Sequence, residues 1–192
     1  MNSRIIISKS KYLAGLQCIK YFWYLVNAKE EIPQPDFVTR YIFNQGMLVG
    51  EYAKKLYPEG IDLGKIPDFN EQLSRTLEVL PLRKPVFEAS CRSGCVYSRA
   101  DILLPADENR WDIVEVKSST RVKEENIHDV AFQRYCFEKA GIKTRKCYIA
   151  CINNQYIRRG NINPGELFKK VEITAEAEEA GSVVEAKVGE ML

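Results

Sequence analysis

Between Pro85 and Ser118 the chain reads "PVFEASCRSGCVYSRADILLPADENRWDIVEVKS", three β-type runs separated by a glycine turn and a short polar loop. Connections this short join only antiparallel neighbours, so the three runs form a meander. The period then changes. From Glu124 to Ala140 the residues Ile127, Val130, Ala131, Phe137 and Ala140 fall on one helical face, with Gly141 placed as a C-cap. "KCYIACIN" follows as a fourth strand. A helix joining two strands is a crossover, which can lay the fourth strand parallel to the third. The expected class is α/β: a mixed four-stranded sheet flanked by helices.

Upstream, helices are expected over about Lys11 to Asn27, Phe37 to Leu56 and Asp68 to Val79, punctuated by Pro33, Pro35 and Pro81. Downstream, Asn163-Pro-Gly opens a short helix holding Leu167 and Phe168, and the end of the chain from Ala175 reads as helical. The division is an N-terminal helical region over 1–82, a core over 83–173, and an acidic helical tail over 174–192.

Composition narrows the chemistry. One histidine in 192 residues, and no Cys-x-x-C, exclude most zinc hydrolases and self-contained zinc sites. No run is long and apolar enough to span a bilayer, and charges interrupt the N-terminus where a signal peptide would be apolar, so a cytoplasmic protein is expected. Net charge is only +2, but its distribution is uneven. Lys117 to Arg159 carries ten Lys or Arg against four acids, and Val171 to Leu192 six acids against one Lys. A basic middle points weakly to a polyanion; the acidic end offers a surface for a protein partner.

Within "WDIVEVKS", Glu115 and Lys117 stand two apart and so share a face of the strand, amid apolar residues. Asp101, on the neighbouring strand, can meet Glu115 at about 5 Å across the pair. Two carboxylates that close repel, and a hard divalent cation between them relieves the repulsion. Asp101, Glu115 and the Val116 carbonyl are therefore candidate ligands for Mg²⁺ or Mn²⁺, with Lys117 beside the metal to orient or deprotonate water and to face a phosphate. Taken alone, Glu-x-Lys also suits a simple ion pair. Gln133 lies on the apolar stripe of the following helix and needs a polar partner.

Asp101, then Glu115-x-Lys117, then Gln133 resembles the PD-(D/E)xK nuclease superfamily in its RecB-like branch. That branch has a restriction-endonuclease-like core, and its helix after the third strand sends a glutamine into the active site. The usual Gln-x-x-x-Tyr is here "QRYCF", with Phe137 in the last place. "FNQGMLVGE" is similar to the first-helix Gly-x-x-x-His-Glu motif, with Gly46 and Glu51 matching and Gly50 replacing the histidine. The resemblance implies Glu51 as a further metal ligand, and Glu88 as a strand acid near the metal.

"SKSKYLAGLQC" extends the resemblance to the iron-sulfur exonucleases of CRISPR adaptation systems and their bacterial relatives. In that family Cys18 would be the first of four iron-sulfur ligands. The other three lie in a C-terminal segment that does not follow "VVEAKVGEML", so an intact cluster is not expected in this chain. The function implied is a metal-dependent deoxyribonuclease, most simply an exonuclease. Arg121, Lys123, Arg134, Arg158 and Arg159 are candidate contacts to the DNA backbone. The alternative is a catalytically silent nucleic-acid-binding or protein-interaction module of the same fold.

Overall fold

The computed structural model describes residues 5–107 and 109–192, so Glu108 of the polar loop lies outside the described residues. Strand β1 (Ile7–Ser8) leads directly into α1 (Lys9–Gln17), and α2 (Ile19–Asn27) follows. Next come α3 (Phe37–Lys54), β2 (Ile61–Asp62) and α4 (Phe69–Val79). The meander is β3 (Val86–Ser93), β4 (Val96–Pro105) and β5 (Trp111–Lys117). Helix α5 (Glu124–Lys139) crosses over to β6 (Thr144–Ile152). After α6 (Pro164–Leu167) and β7 (Phe168–Glu172), the chain closes with α7 (Thr174–Gly181) and α8 (Val184–Met191).

The helix boundaries follow from local chemistry. Asp36 and Asp68 accept the backbone N–H groups of Thr39 and Glu71, each at 2.7 Å, and so cap α3 and α4. Gly141, with φ +83°, ends α5 in the left-handed conformation that glycine adopts without strain. The single helix expected over Lys11–Asn27 is instead two. Cys18 sits between them in extended conformation at φ −163°, so the chain turns there without a proline or glycine.

Strands β3, β4 and β5 pair antiparallel, and β6 lies parallel beside β5, with Lys117 opposite Cys151. The sheet is wider than the four strands expected. Among the described residues it has seven, in the order β2-β3-β4-β5-β6-β7, with β1 paired in parallel to β4. The segment at Leu167–Phe168 is not all helix: α6 ends at Leu167, and Phe168 begins edge strand β7. Sequence 174–192 is helical and acidic, but it is part of the packing. Ala177, Val184, Val188 and Met191 are buried in the core shared with α1 and α5.

That core fills the face of the sheet covered by α1, α2, α4, α5, α7 and α8. The opposite face holds a smaller cluster of Phe87, Ile102, Val114, Ala150 and Phe168 beneath Ala53 of α3. The first half of α3 stands clear of the sheet, leaving Phe37, Tyr41, Phe43 and Met47 mostly exposed. Among the described residues no helix is long and apolar enough to cross a membrane.

Candidate active site

Four elements converge at the end of β5. Ile113 packs in the larger core, so the alternation of the strand turns Glu115 and Lys117 toward the same helical layer. Helix α5 lies over that face and presents Asp129 and Gln133, one turn apart, downward from its buried stripe. Helix α1 is held against α5 by Tyr12, whose ring stacks on Phe132 with centroids 4.6 Å apart. Its first residue, Lys9, thereby reaches the cluster.

The contacts are dense. Glu115 is 2 % exposed. Its Oε1 accepts from Lys117 Nζ at 2.7 Å and from Lys9 Nζ at 2.8 Å, and its Oε2 accepts from Gln133 Nε2 at 2.6 Å. Asp129 is equally buried. It accepts from Lys117 Nζ at 2.7 Å and Gln133 Nε2 at 2.9 Å, and lies 3.6 Å from Lys9 Nζ. Buried charges persist only when paired and hydrogen-bonded, and here each carboxylate meets both ammonium groups.

Asp101 stands on β4. The last pair of the β4–β5 ladder is Ile102 with Val114, so Asp101 and Glu115 come next on the two strands. Asp101 Oδ2 accepts the Val116 N–H at 2.8 Å. Desolvation, then the charge of Glu115, push the Asp101 carboxyl up to about 7, against the pull of Lys9. Glu115 moves the other way. Burial opposes its charge, but Lys9 and Lys117 outweigh burial and hold it well below the usual carboxylate range. Burial also opposes the charges of Lys9 and Lys117, yet the surrounding carboxylates, Glu115 foremost, raise both above the ordinary lysine value. Asp129 is raised, by burial first and then by Glu115. Two adjacent carboxylates with oppositely displaced pKa values are a frequent mark of a functional site.

The donor set suits a hard divalent cation: carboxylates from adjacent strands and a backbone carbonyl, with no sulfur or imidazole among them. Gln133 Oε1 is buried with no hydrogen-bond partner among the described residues, an acceptor left over beside the same carboxylate. The described residues contain no ready-made cluster of three or more His, Cys, Asp or Glu ligands. A cation here would therefore draw on main-chain oxygen or water besides Asp101 and Glu115.

The other residues singled out in the sequence are dispersed. Glu51 is mostly exposed and accepts from Lys54 Nζ at 2.7 Å, outside the Glu115 cluster. It lines a separate polar cleft of about 230 Å³ with Asp62, Lys65, Glu88 and Arg99. Glu88 pairs with Arg99 at 2.8 Å and has φ +58°, rare for a residue with a Cβ. Its neighbours pair as Phe87 with Ile102 and Ala89 with Ala100, which sets Glu88 opposite Asp101 on the far side from Glu115.

Arg121, Lys123, Arg158 and Arg159 are exposed, Arg158 and Arg159 in the loop after β6, at the end of the parallel β5–β6 pair where Lys117 stands. Arg134 differs from the expected DNA contact. It is largely covered by α7 and engaged by Glu138 at 3.1 Å and Glu178 at 2.8 Å. Cys18 is exposed, whereas Cys91, Cys136, Cys147 and Cys151 are buried and free.

Two members of the cluster were not foreseen. Asp129 had a signal, because it stands four residues before Gln133 and so shares its face. Lys9 had none, because it is far from Glu115 in the chain and arrives only through the docking of α1.

No protein-family model matches the chain, and no curated protein matches it. Solved structures do. An alkaline exonuclease (LHK-Exo) from Laribacter hongkongensis superposes with a TM-score of 0.52 at 10% identity, covering 98% of this chain and 89% of the other. A candidate exonuclease from Eubacterium rectale superposes with a TM-score of 0.57 at 14% identity, covering 98% of this chain and 80% of the other. The mixed sheet with its flanking helices is therefore the fold of these structures.

Proposed function

We propose that this chain is a divalent-metal-dependent deoxyribonuclease that hydrolyses phosphodiester bonds at the Asp101–Glu115–Lys117 cluster. The observation that carries the reading is the state of Glu115. It is a buried carboxylate kept ionised by two ammonium groups and one amide, on the strand next to that of the desolvated Asp101. An ordinary structural ion pair does not require three donors on one carboxylate and a second carboxylate alongside. The exonuclease fold adds weight to a nucleic-acid substrate, with DNA strands or ends as the form proposed.

Asp101, Glu115 and the Val116 carbonyl would hold Mg²⁺ or Mn²⁺. Such an ion supplies Lewis acidity toward a phosphoryl oxygen and acidifies water at neutral pH. The protein's own groups have separable tasks. Lys117 is held as an ammonium by Glu115 and Asp129, so its role is that of a positioned charge facing the phosphate rather than a base. Gln133 fixes the Glu115 carboxylate through Oε2. Lys9 and Asp129 balance the charge and set the orientation of both. Arg121, after β5, and Arg158 and Arg159, after β6, are exposed at the same end of the strands and would hold the flanking backbone, not the reacting phosphate.

The test is cleavage of an end-labelled oligonucleotide with Mn²⁺ or Mg²⁺. Wild-type protein should give product and EDTA should stop it. Asp101→Asn and Lys117→Met should each lower the rate by about a hundredfold or more. Binding without product under either cation would instead identify a silent module.

A further inference from the structure

We propose that this chain forms a two-fold symmetric dimer in which the outer face of α3 packs antiparallel on the same face of a second copy. Of the α3 residues, Val49, Tyr52 and Ala53 pack into the smaller cluster on the sheet. Residues four apart share a helical face, so Val49 and Ala53 mark the side turned to the sheet. The opposite stripe is Arg40, Asn44, Met47 and Glu51, flanked by Phe43 on one side and by Phe37, Tyr41 and Leu48 on the other. Phe37, Tyr41, Phe43, Met47 and Leu48 are each 55–76% exposed.

Area and composition point to a protein surface as the cover. At roughly 200 Å² for a large side chain, those five residues present about 600 Å² of apolar surface to water. That is the upper end of the roughly 300–600 Å² patch that a monomer leaves exposed. Two copies face to face would bury about 1,200 Å², above the roughly 1,000 Å² that a specific interface needs. Aromatic residues and Met dominate the face, and Arg40 is the single charge from Phe37 to Gly50, the composition of an interface core.

The face is also complementary to itself, as a two-fold contact requires. Arg40 and Glu51 stand at the two ends of one stripe with opposite charges. Laid antiparallel about a point between Gln45 and Gly46, α3 brings Arg40 of each copy level with Glu51 of the other. The same register sets Phe43 beside Met47 and Tyr41 beside Leu48 across the pair. A parallel pairing would set Arg40 on Arg40 and Glu51 on Glu51. Glu51 is 66% exposed, and its bond to Lys54 uses Oε1, which leaves Oε2 for the arginine of the second copy. A surface shaped for an unlike partner has no reason to carry its own charge complement in register.

The test is light scattering and sedimentation equilibrium on the full chain, from low to high micromolar concentration. The mass should rise with concentration from 22.0 kDa to twice that value and stop there, since a two-fold contact closes at two copies. Met47→Lys, at the centre of the face, should weaken association by about tenfold or more, as loss of a central anchor does. Its melting temperature under monomeric conditions should match wild type. Arg40→Glu sets like charges opposite each other and should also weaken the dimer by about tenfold or more. Arg40→Glu combined with Glu51→Arg restores opposite charges and should recover most of the wild-type affinity. A monomer at every concentration, a mass beyond the dimer, or a dimer indifferent to Met47→Lys overturns the proposal. Failure of the exchanged pair to recover overturns it as well. So does a wild-type monomer that floats with phosphatidylcholine vesicles, the result of a lipid surface covering α3 instead.

Discussion

Gln133 on α5 and Glu115 on β5 are joined by a 2.6 Å hydrogen bond within the core, the amide donating to the carboxylate. The same amide nitrogen donates to Asp129, so one side chain orients two buried acids. Gln133→Ala removes a charge-assisted bond of about 2 kcal/mol. The melting temperature should fall by about 4–8 °C, at about 2–4 °C per kcal/mol for a chain of this size. Cleavage should drop by more than tenfold, because Glu115 loses the Gln133 amide that holds its Oε2. A thermal melt and a single-turnover rate measure the two effects. A rate within twofold of wild type would remove Gln133 from the machinery.

Burial of Asp101 works against its ionisation and so against stability at high pH. Its folded pKa is raised from 3.8 to about 7. A raised pKa contributes stability that is fully present below the unfolded value and lost as pH rises through the folded one. In EDTA, Asp101→Asn should therefore match wild type in melting temperature near pH 4 and exceed it by several degrees at pH 8. The same variant should lack cleavage. Melting curves across pH check the sign, and a variant less stable than wild type at pH 8 would contradict the desolvation argument.

Divalent cation should stabilise the wild type. An ion at a hundred times its dissociation constant adds about 2.7 kcal/mol, or about 5–11 °C at this chain length. The shift with Mn²⁺ should vanish in Asp101→Asn. Lys9→Met removes an ammonium 2.8 Å from Glu115 Oε1, an oxygen the cation would share, and should tighten Mn²⁺ binding by about tenfold. Calorimetric titration reads this directly; weaker binding in Lys9→Met would show that Lys9 positions the carboxylate rather than competing for it.

A control lies at the other end of β5. Arg145 holds the buried Asp112 through two bonds, Nε at 3.0 Å and Nη2 at 2.7 Å. Arg145→Ala leaves Asp112 only the Lys146 N–H and should cost about 1–3 kcal/mol of stability. Cleavage at low temperature should stay within twofold of wild type. A large loss of rate in a folded Arg145→Ala protein would mean that the rate effects of the other variants are not local.

Much of the core was legible because its periods are clean. The short loops of the meander forced antiparallel pairing, and the stripe through Val130, Ala131 and Phe137 marked the crossover helix and carried Gln133 into the site. What stayed hidden depends on tertiary pairing. Strands β1 and β2 have two residues each and carry no period. Strand β7, "FKKVE", presents three charged residues and reads as surface. The break at Cys18 had no glycine or proline to announce it. Val184, Val188 and Met191 follow helical spacing, but the apparently charged tail masked their burial. Glu51 matched a motif in line, yet the helix that bears it directs it to Lys54 and a second cleft.

The proposed chemistry requires Asp101 and Glu115 to share a cation. A crystal soaked in Mn²⁺, with anomalous diffraction recorded at the manganese edge, answers this most directly. One strong peak is expected between the two carboxylates, with Lys9 displaced from Glu115. No peak there at saturating Mn²⁺, or a peak confined to the cleft of Glu51, Asp62 and Glu88, would contradict it.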